Sequence, residues 1–359
     1  MRVAVSFVHG YERPDFPVSA DLKAALCVIE AGVVSDVVDV EFLRTPGDFQ
    51  STHLHVVGEE PVGQEDFRPL PRFGLTGLHR DGPMLFAGSW NGVYVFDAVS
   101  LQPLSFLSHR LTADIHGLSA INGEITTTLP PIDGVVRTDQ DGNILWAVAV
   151  GADLSIRELD PTEEPDWRFV GKQMRGPLGT FHLNAVEDDG ERVWLTSRNL
   201  GCYLSFAPGD STARIHAIAH MTPVMMHDGV QSKNSTFATS VDGKILVHSE
   251  PDWASVESFS KFVSDSSGPL FQNGIYSLSE SVIRVDDIIG RQTNWCRGLE
   301  VGNSSLVTTV DGRYGSGNRF GVIEISDTNE FVAEATISWE GVGDPTGLRY
   351  VTGFDVSEI

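Results

Sequence analysis

Between residues 73 and 312 the chain repeatedly breaks into short β-rich runs separated by Asn-Gly or Asp-Gly pairs. Examples are Asp81-Gly82, Asn91-Gly92, Asn122-Gly123, Asp141-Gly142, Asp189-Gly190, Asp242-Gly243, Asn273-Gly274 and Asp311-Gly312. These residues reach positive φ cheaply, as two-residue hairpin turns require. The runs between them, such as Val93–Phe96, Ile144–Val150, Val193–Thr196, Ile245–Val247 and Gly321–Ile325, are too short for helices and rich in β-branched residues. Many short strands joined by tight turns confine the fold to a sandwich, a barrel or a propeller.

A repeat chooses among these. A small segment opens each group of strands: Thr76-Gly-Leu, His116-Gly-Leu, His182-Leu-Asn, His227-Asp-Gly, Arg297-Gly-Leu and Thr346-Gly-Leu. The openings are 40, 66, 45, 70 and 49 residues apart. Periods of about 40–50 residues match a four-stranded propeller blade. The long intervals need insertions, for which residues 152–179 and 263–295 are candidates. The reading is an all-β protein, a β-propeller over residues 73–359. Five blades are favoured, with six if Thr346 opens a blade completed by N-terminal strands.

Residues 1–72 form a separate N-terminal segment that packs on or closes the propeller. One helix is expected there, over residues 20–31. Leu22, Ala25, Leu26 and Ile29 recur at helical spacing, Ser19 stands at the start and Gly32 at the end. Strand-like runs surround it, so the segment reads as a small α/β extension.

Charge narrows the partners. With 25 Lys plus Arg against 49 Asp plus Glu, the net charge is −24. Nucleic acid is excluded as partner because phosphate binding needs clustered cations, and an anionic membrane surface is excluded for the same reason. The N-terminal residues lack the apolar core and cleavage site of a secretory signal. Three cysteines without a CxxC pair suit a reducing compartment. The expectation is a soluble cytoplasmic protein acting on a small molecule, its oligomeric state open.

In a propeller the innermost strand of each blade lines the central axis. The repeat places His116, His182 and His227 at one position of successive blades, with Arg297 in the next. Three converging imidazoles are a ligand set for a divalent transition metal, with Fe or Cu favoured and Zn possible. Asp228 and Glu300 stand beside these positions as acid–base or supporting groups, and Arg297 is placed to clamp a carboxylate or phosphate. This reading makes the chain a metal-dependent enzyme, oxidative in character, acting on a small polar or anionic molecule, with residues 152–179 forming part of a lid. Two alternatives stay open. The propeller can bind a small molecule or a protein without turnover, or the ring can act without metal as an acid–base cyclase or isomerase. Walker A, HExxH and GxSxG sequences are absent from the chain.

The segments FHLNAV (181–186), MMHDGV (225–230) and CRGLEV (296–301) resemble the blade markers of an uncharacterised bacterial β-propeller family. Its members carry a His-Leu-Asn segment, a His-containing segment and an Arg-Gly-Leu segment. His182-Leu183-Asn184, His227 and Arg297-Gly298-Leu299 match these markers, and Gly353-Phe-Asp-Val resembles the family's ending. Asp228-Gly229 departs from the second marker. The resemblance implies the propeller and its register, and no particular reaction.

Overall fold

The computed structural model describes residues 2–9, 24–30, 33–39, 43, 55–59, 73–169, 181–199, 201–217, 226–232, 235–240, 244–249, 280–284, 298–301, 305–310, 321–326, 331–336 and 348–357. The fold is an all-β propeller built mainly from antiparallel up-and-down sheets, with one parallel pair between 55–58 and 105–108. The N-terminal strands are β1 (Arg2–His9), β2 (Ala24–Glu30), β3 (Val33–Asp39) and β4 (His55–Gly58). The first complete blade follows in chain order as β5 (Phe73–Asp81), β6 (Met84–Ser89), β7 (Val93–Asp97) and β8 (Pro103–Ser108). Next come β9 (Leu118–Ile121), β10 (Glu124–Leu129), β11 (Gly134–Thr138) and β12 (Ile144–Val150), with β13 (Ile156–Glu158) added at the outer edge.

The third blade is β14 (Leu183–Asp188), β15 (Val193–Ser197), β16 (Cys202–Phe206) and β17 (Arg214–Ala217). The fourth is β18 (Met226–Ser232), β19 (Ser235–Ser240), β20 (Lys244–Ser249) and β21 (Glu280–Arg284). The fifth is β22 (Leu299–Val301), β23 (Ser305–Val310), β24 (Gly321–Ser326) and β25 (Phe331–Thr336), and β26 (Leu348–Ser357) ends the chain.

The last strand decides how the ring closes. β26 pairs with β1 from Leu348–His9 to Ser357–Arg2, and β1 pairs in turn with β2 and β2 with β3. A sheet is thus assembled from both ends of the chain. β1 also pairs with β5 through Val8–Gly74 and His9–Phe73, joining this sheet to the next. The inner strands pack in a cycle: β5 on β9, β9 on β14, β14 on β18, β18 on β22, β22 on β26 and β26 back on β5. Among the described residues, strands from both ends of the chain thus share one sheet where the cycle of contacts closes.

The helix expected over residues 20–31 is not formed, because Ala24–Glu30 is strand β2. Its residues are buried on both faces until Glu30. A strand enclosed on both faces is apolar throughout, so its sequence does not alternate. Ala25, Leu26 and Ile29 mimic part of a helical stripe for that reason, and Leu22 lies outside the described residues. The hairpin signals do form. Asn122 (φ 54°) and Gly123 (φ 80°) make a turn with both central residues left-handed, as the strand twist demands. The pairs at Asp242, Asn273 and Asp311 lie outside the described residues.

The core lies between neighbouring blades. Val135 and Val148 of the second blade pack on Leu183, Leu195, Leu204 and Phe206 of the third. Leu75, Leu85, Tyr94 and Phe106 meet Ala4, Leu26 and Val28 across the closing sheet. Each fully buried residue of this size stabilises the fold by about 1.5–3 kcal/mol. Polar ties cross between blades too: Arg137 and Thr126 of the second blade both reach the buried carboxylate of Asp188 in the third. The stretch expected as a lid is described as far as Phe169. Over that span Trp167 packs on Leu111, Leu129 and Val136, and Arg168 bonds Ser108 (2.8 Å), Glu59 (3.2 Å) and Asp166 (2.6 Å). Among the described residues no helix is long and apolar enough to cross a membrane.

Candidate functional site

Among the described residues, the inner strands β5, β14, β18 and β26 each carry a bulge. In β14, Leu183 pairs with Ser197 and Val186 with Leu195, so Asn184 and Ala185 together face Thr196. In β18, Met226 pairs with Ser240 and Gly229 with Ala238, so His227 and Asp228 face Thr239. In β5, Gly77 is extra beside Thr76, and in β26, Thr352 is extra between Val351 and Gly353. A hydroxyl fastens the bulge. Thr128 Oγ1 accepts from the amides of His116 (3.2 Å) and Gly117 (3.1 Å). Thr196 Oγ1 accepts from Ala185 (3.0 Å), and Thr239 Oγ1 from Asp228 (3.2 Å). An extra residue leaves an amide that the strand ladder cannot pair, and the hydroxyl satisfies it.

This register defines one position in each of four blades: Thr76, His116, Asn184 and His227. Gly298, at φ 68°, matches Gly77 at φ 57°. It would place the preceding residue, Arg297, in the same series, but Arg297 itself lies outside the described residues. The expected series therefore changes at one place, where Asn184 takes the position assigned to His182. Thr346 lies outside the described residues. One signal in the sequence carries the correct register. A threonine follows twelve residues after His116, Asn184, His227 and Arg297, as Thr128, Thr196, Thr239 and Thr309, whereas Trp194 follows His182.

His182 stands two residues before the ring, where Asp114 stands in the preceding blade. Both have left-handed backbone, at φ 51° and 49°. The His182 ring meets the His116 ring edge to face, with centroids 5.1 Å apart. The three histidines are buried but do not share one level of the ring. Among the described residues no group of three or more His, Cys, Asp or Glu side chains is placed to hold a metal ion.

The hydrogen bonds fix the ring protons. His116 Nδ1 lies 2.8 Å from the carbonyl oxygen of Asp114, which can only accept. Nδ1 therefore carries the hydrogen, and the lone pair of the neutral ring is on Nε2. The Asp114 carboxylate lies 3.8 Å from the same nitrogen. Asn184 Nδ2 lies 3.1 Å from the Met226 carbonyl and 2.9 Å from His227 Nδ1. The carbonyl identifies this atom as the amide nitrogen, since an oxygen there would face another oxygen. Its second hydrogen then points to His227 Nδ1, which accepts. The neutral His227 ring so carries its hydrogen on Nε2, opposite to His116. Asn184 Oδ1 is enclosed, without a hydrogen-bond partner among the described residues.

The remaining candidates take different places. Asp228 Oδ2 accepts from the amide of Gly298 at 2.9 Å and ties the fourth blade to the fifth. Glu300 is half-buried on β22 opposite Val307, past the ring position. Sequence reasoning missed Asn184 as a ring residue, and also Asp133. The buried Asp133 carboxylate accepts from the amides of Phe181 (2.8 Å) and His182 (2.7 Å). The thiols do not join the site: burial raises Cys27 far above the ordinary range and Cys202 to about 12.

The sequence matches no family model, and no curated protein is similar to it. The structure is similar to the WD40 domain of Neurospora crassa Pan2, with 8% identity, a TM-score of 0.43, and 73% of this chain covering 66% of that one. It is also similar to selenomethionine-substituted virginiamycin B lyase from Staphylococcus aureus, with 12% identity, a TM-score of 0.41, and 72% of this chain covering 69% of that one.

Proposed function

We propose that this chain is an acid–base enzyme that acts on a small polar molecule at the axial ring without a metal, as an isomerase or cyclase. The observation that carries this reading is the position of Asn184 between the Met226 carbonyl and His227 Nδ1. It gives His227 a hydrogen on Nε2 while His116 keeps a lone pair there. One imidazole is thus prepared to accept a proton and the other to donate a hydrogen bond to the negative charge that develops on the substrate, as isomerisation and intramolecular ring closure require. No electron leaves the substrate, so no redox partner is needed. Arg297, next to Gly298 in sequence, is assigned to an anionic group of the substrate.

The same geometry weighs against the three-histidine metal set. A ligating nitrogen must offer a lone pair, and the Asn184 bond puts a hydrogen on the outer nitrogen of His227.

The test begins with metal analysis of untagged wild-type protein, then a thermal-shift screen of neutral and anionic small metabolites. Compounds that stabilise wild type but not His116→Ala or His227→Ala are followed by NMR for conversion. Isomeric products with a bell-shaped pH–rate profile, formed by metal-free protein, are the expected result. About one metal per chain, lost in His116→Ala and His227→Ala, overturns the reading in favour of a metalloenzyme. Binding without conversion makes the ring a recognition site.

A further inference from the structure

We infer that Asp133, a residue of the second blade, is the positioning residue that holds His182 of the third blade against His116. This rests on the axial ring being the functional site. Asp133 follows a short 3-10 turn, Pro130–Ile132, between β10 and β11, and is left-handed at φ 52°. Its own backbone is anchored, with the amide donating to Pro130 (3.3 Å) and the carbonyl accepting from Val150 (3.0 Å). The carboxylate is therefore a fixed object of the second blade.

Its two oxygens accept from consecutive amides of the next blade, Oδ2 from Phe181 and Oδ1 from His182. From the other side, the Phe181 carbonyl accepts from Ser197 Oγ (2.7 Å) and the Asn199 amide (3.1 Å), and the His182 carbonyl from the Arg198 amide (3.1 Å). Left-handed backbone at a non-glycine residue costs about 1–2 kcal/mol. The charge-assisted bonds that the Phe181 and His182 amides donate to Asp133 offset that cost, each stronger than a neutral bond. Asp133 thus sets the backbone angle from which the His182 ring reaches His116 across the blade boundary.

The experiment reads imidazole geometry directly and needs no ligand, so its outcome is independent of whether the ring is catalytic. The full chain is labelled at histidine, and His182 signals are assigned with His182→Gln. In Asp133→Asn, His182 signals are expected to move and ring-to-ring cross-peaks with His116 to vanish, with His79 unchanged. Ser197→Ala removes a bond on the same peptide. It is expected to lower the Tm while leaving the His182 ring in place, so a generally loosened segment is distinguished from lost positioning. Unchanged His182–His116 cross-peaks in Asp133→Asn overturn the proposal. If Asp133→Asn does not fold, wild-type protein decides. Scalar couplings across the hydrogen bonds from the Phe181 and His182 amides to the Asp133 carboxylate carbon are expected, and their absence overturns it.

Discussion

Asn184 Nδ2 and His227 Nδ1 lie 2.9 Å apart, and the Met226 carbonyl oxygen 3.1 Å away fixes which atom of the amide faces the ring. A single amide group therefore decides the tautomer of a histidine on the neighbouring blade. Asn184→Asp replaces the donor with an acceptor, which draws a hydrogen onto His227 Nδ1 and places an oxygen against the Met226 carbonyl. The expected outcome is a reversed tautomer, read from imidazole 15N shifts, and a stability loss of about 1–3 kcal/mol. An unchanged His227 tautomer would remove the basis for its role as a hydrogen-bond donor.

Thr196 joins two blades through one hydroxyl. Its Oγ1 accepts from the Ala185 amide and donates to the His227 carbonyl, both at 3.0 Å. Thr196→Val keeps the shape and leaves both partners buried and unsatisfied. A cost of about 1–3 kcal/mol per orphaned group is expected in denaturant unfolding. Loss below about 0.5 kcal/mol would mean that the bulge is held by packing.

Gly117 tests how tightly the axis is closed. A Cβ there would lie 2.5 Å from the Asn184 carbonyl oxygen and 2.7 Å from Ala185 Cα, both backbone atoms. Gly117→Ala must push the second and third blades apart and should cost about 1–3 kcal/mol. Its Tm falls and the His116 and Asn184 signals move together. A variant as stable as wild type would mean the inner strands slide freely.

Acid should weaken the fold through two half-buried histidines, His79 and His109. Burial is the first cause of the lowered pKa of His79 and of His109, with Asp81 and Glu59 respectively opposing it. Both folded values lie below the ordinary 6.5. The unfolded chain therefore binds protons first. The contribution of each neutral ring is complete above about pH 6.5 and is lost as pH falls through the folded value. Stability measured from pH 8 to about pH 5 should decline, and His79→Gln should flatten the decline. An unaltered slope would show that His79 does not take part.

Cys27 and Cys202 should stay silent toward thiol reagents. Burial dominates both shifts, and Cys202, pushed up to about 12, has almost no thiolate at neutral pH. Labelling at pH 7.5 is expected only at the rate of unfolding. Rapid labelling of either in native protein would contradict their burial.

Much of the fold was legible in local chemistry. The Asn122-Gly123 turn follows from the backbone freedom of those two residues, and the period of the openings from the length of a four-stranded sheet. Strand β2 was not legible as a strand, since burial on both faces erases the alternation that marks one. The ring register was legible only in part. His116 and His227 stand out as histidines beside small or polar residues, but His182 is a decoy two residues from Asn184. The twelve-residue interval to a bulge-fastening threonine separates them, and its meaning depends on the hydrogen bond that Thr196 makes.

The sequence by itself determined an all-β chain of repeated strand groups, because turn residues and short β-rich runs act over a few neighbours. Only the tertiary structure decided that β26 is completed by β1, since pairing of the two chain ends leaves no local trace. It also decided that Asn184 governs His227 and that Asp133 reaches His182. Those bonds join residues 43 and 49 positions apart, and hydrogen-bond direction exists only once the blades meet.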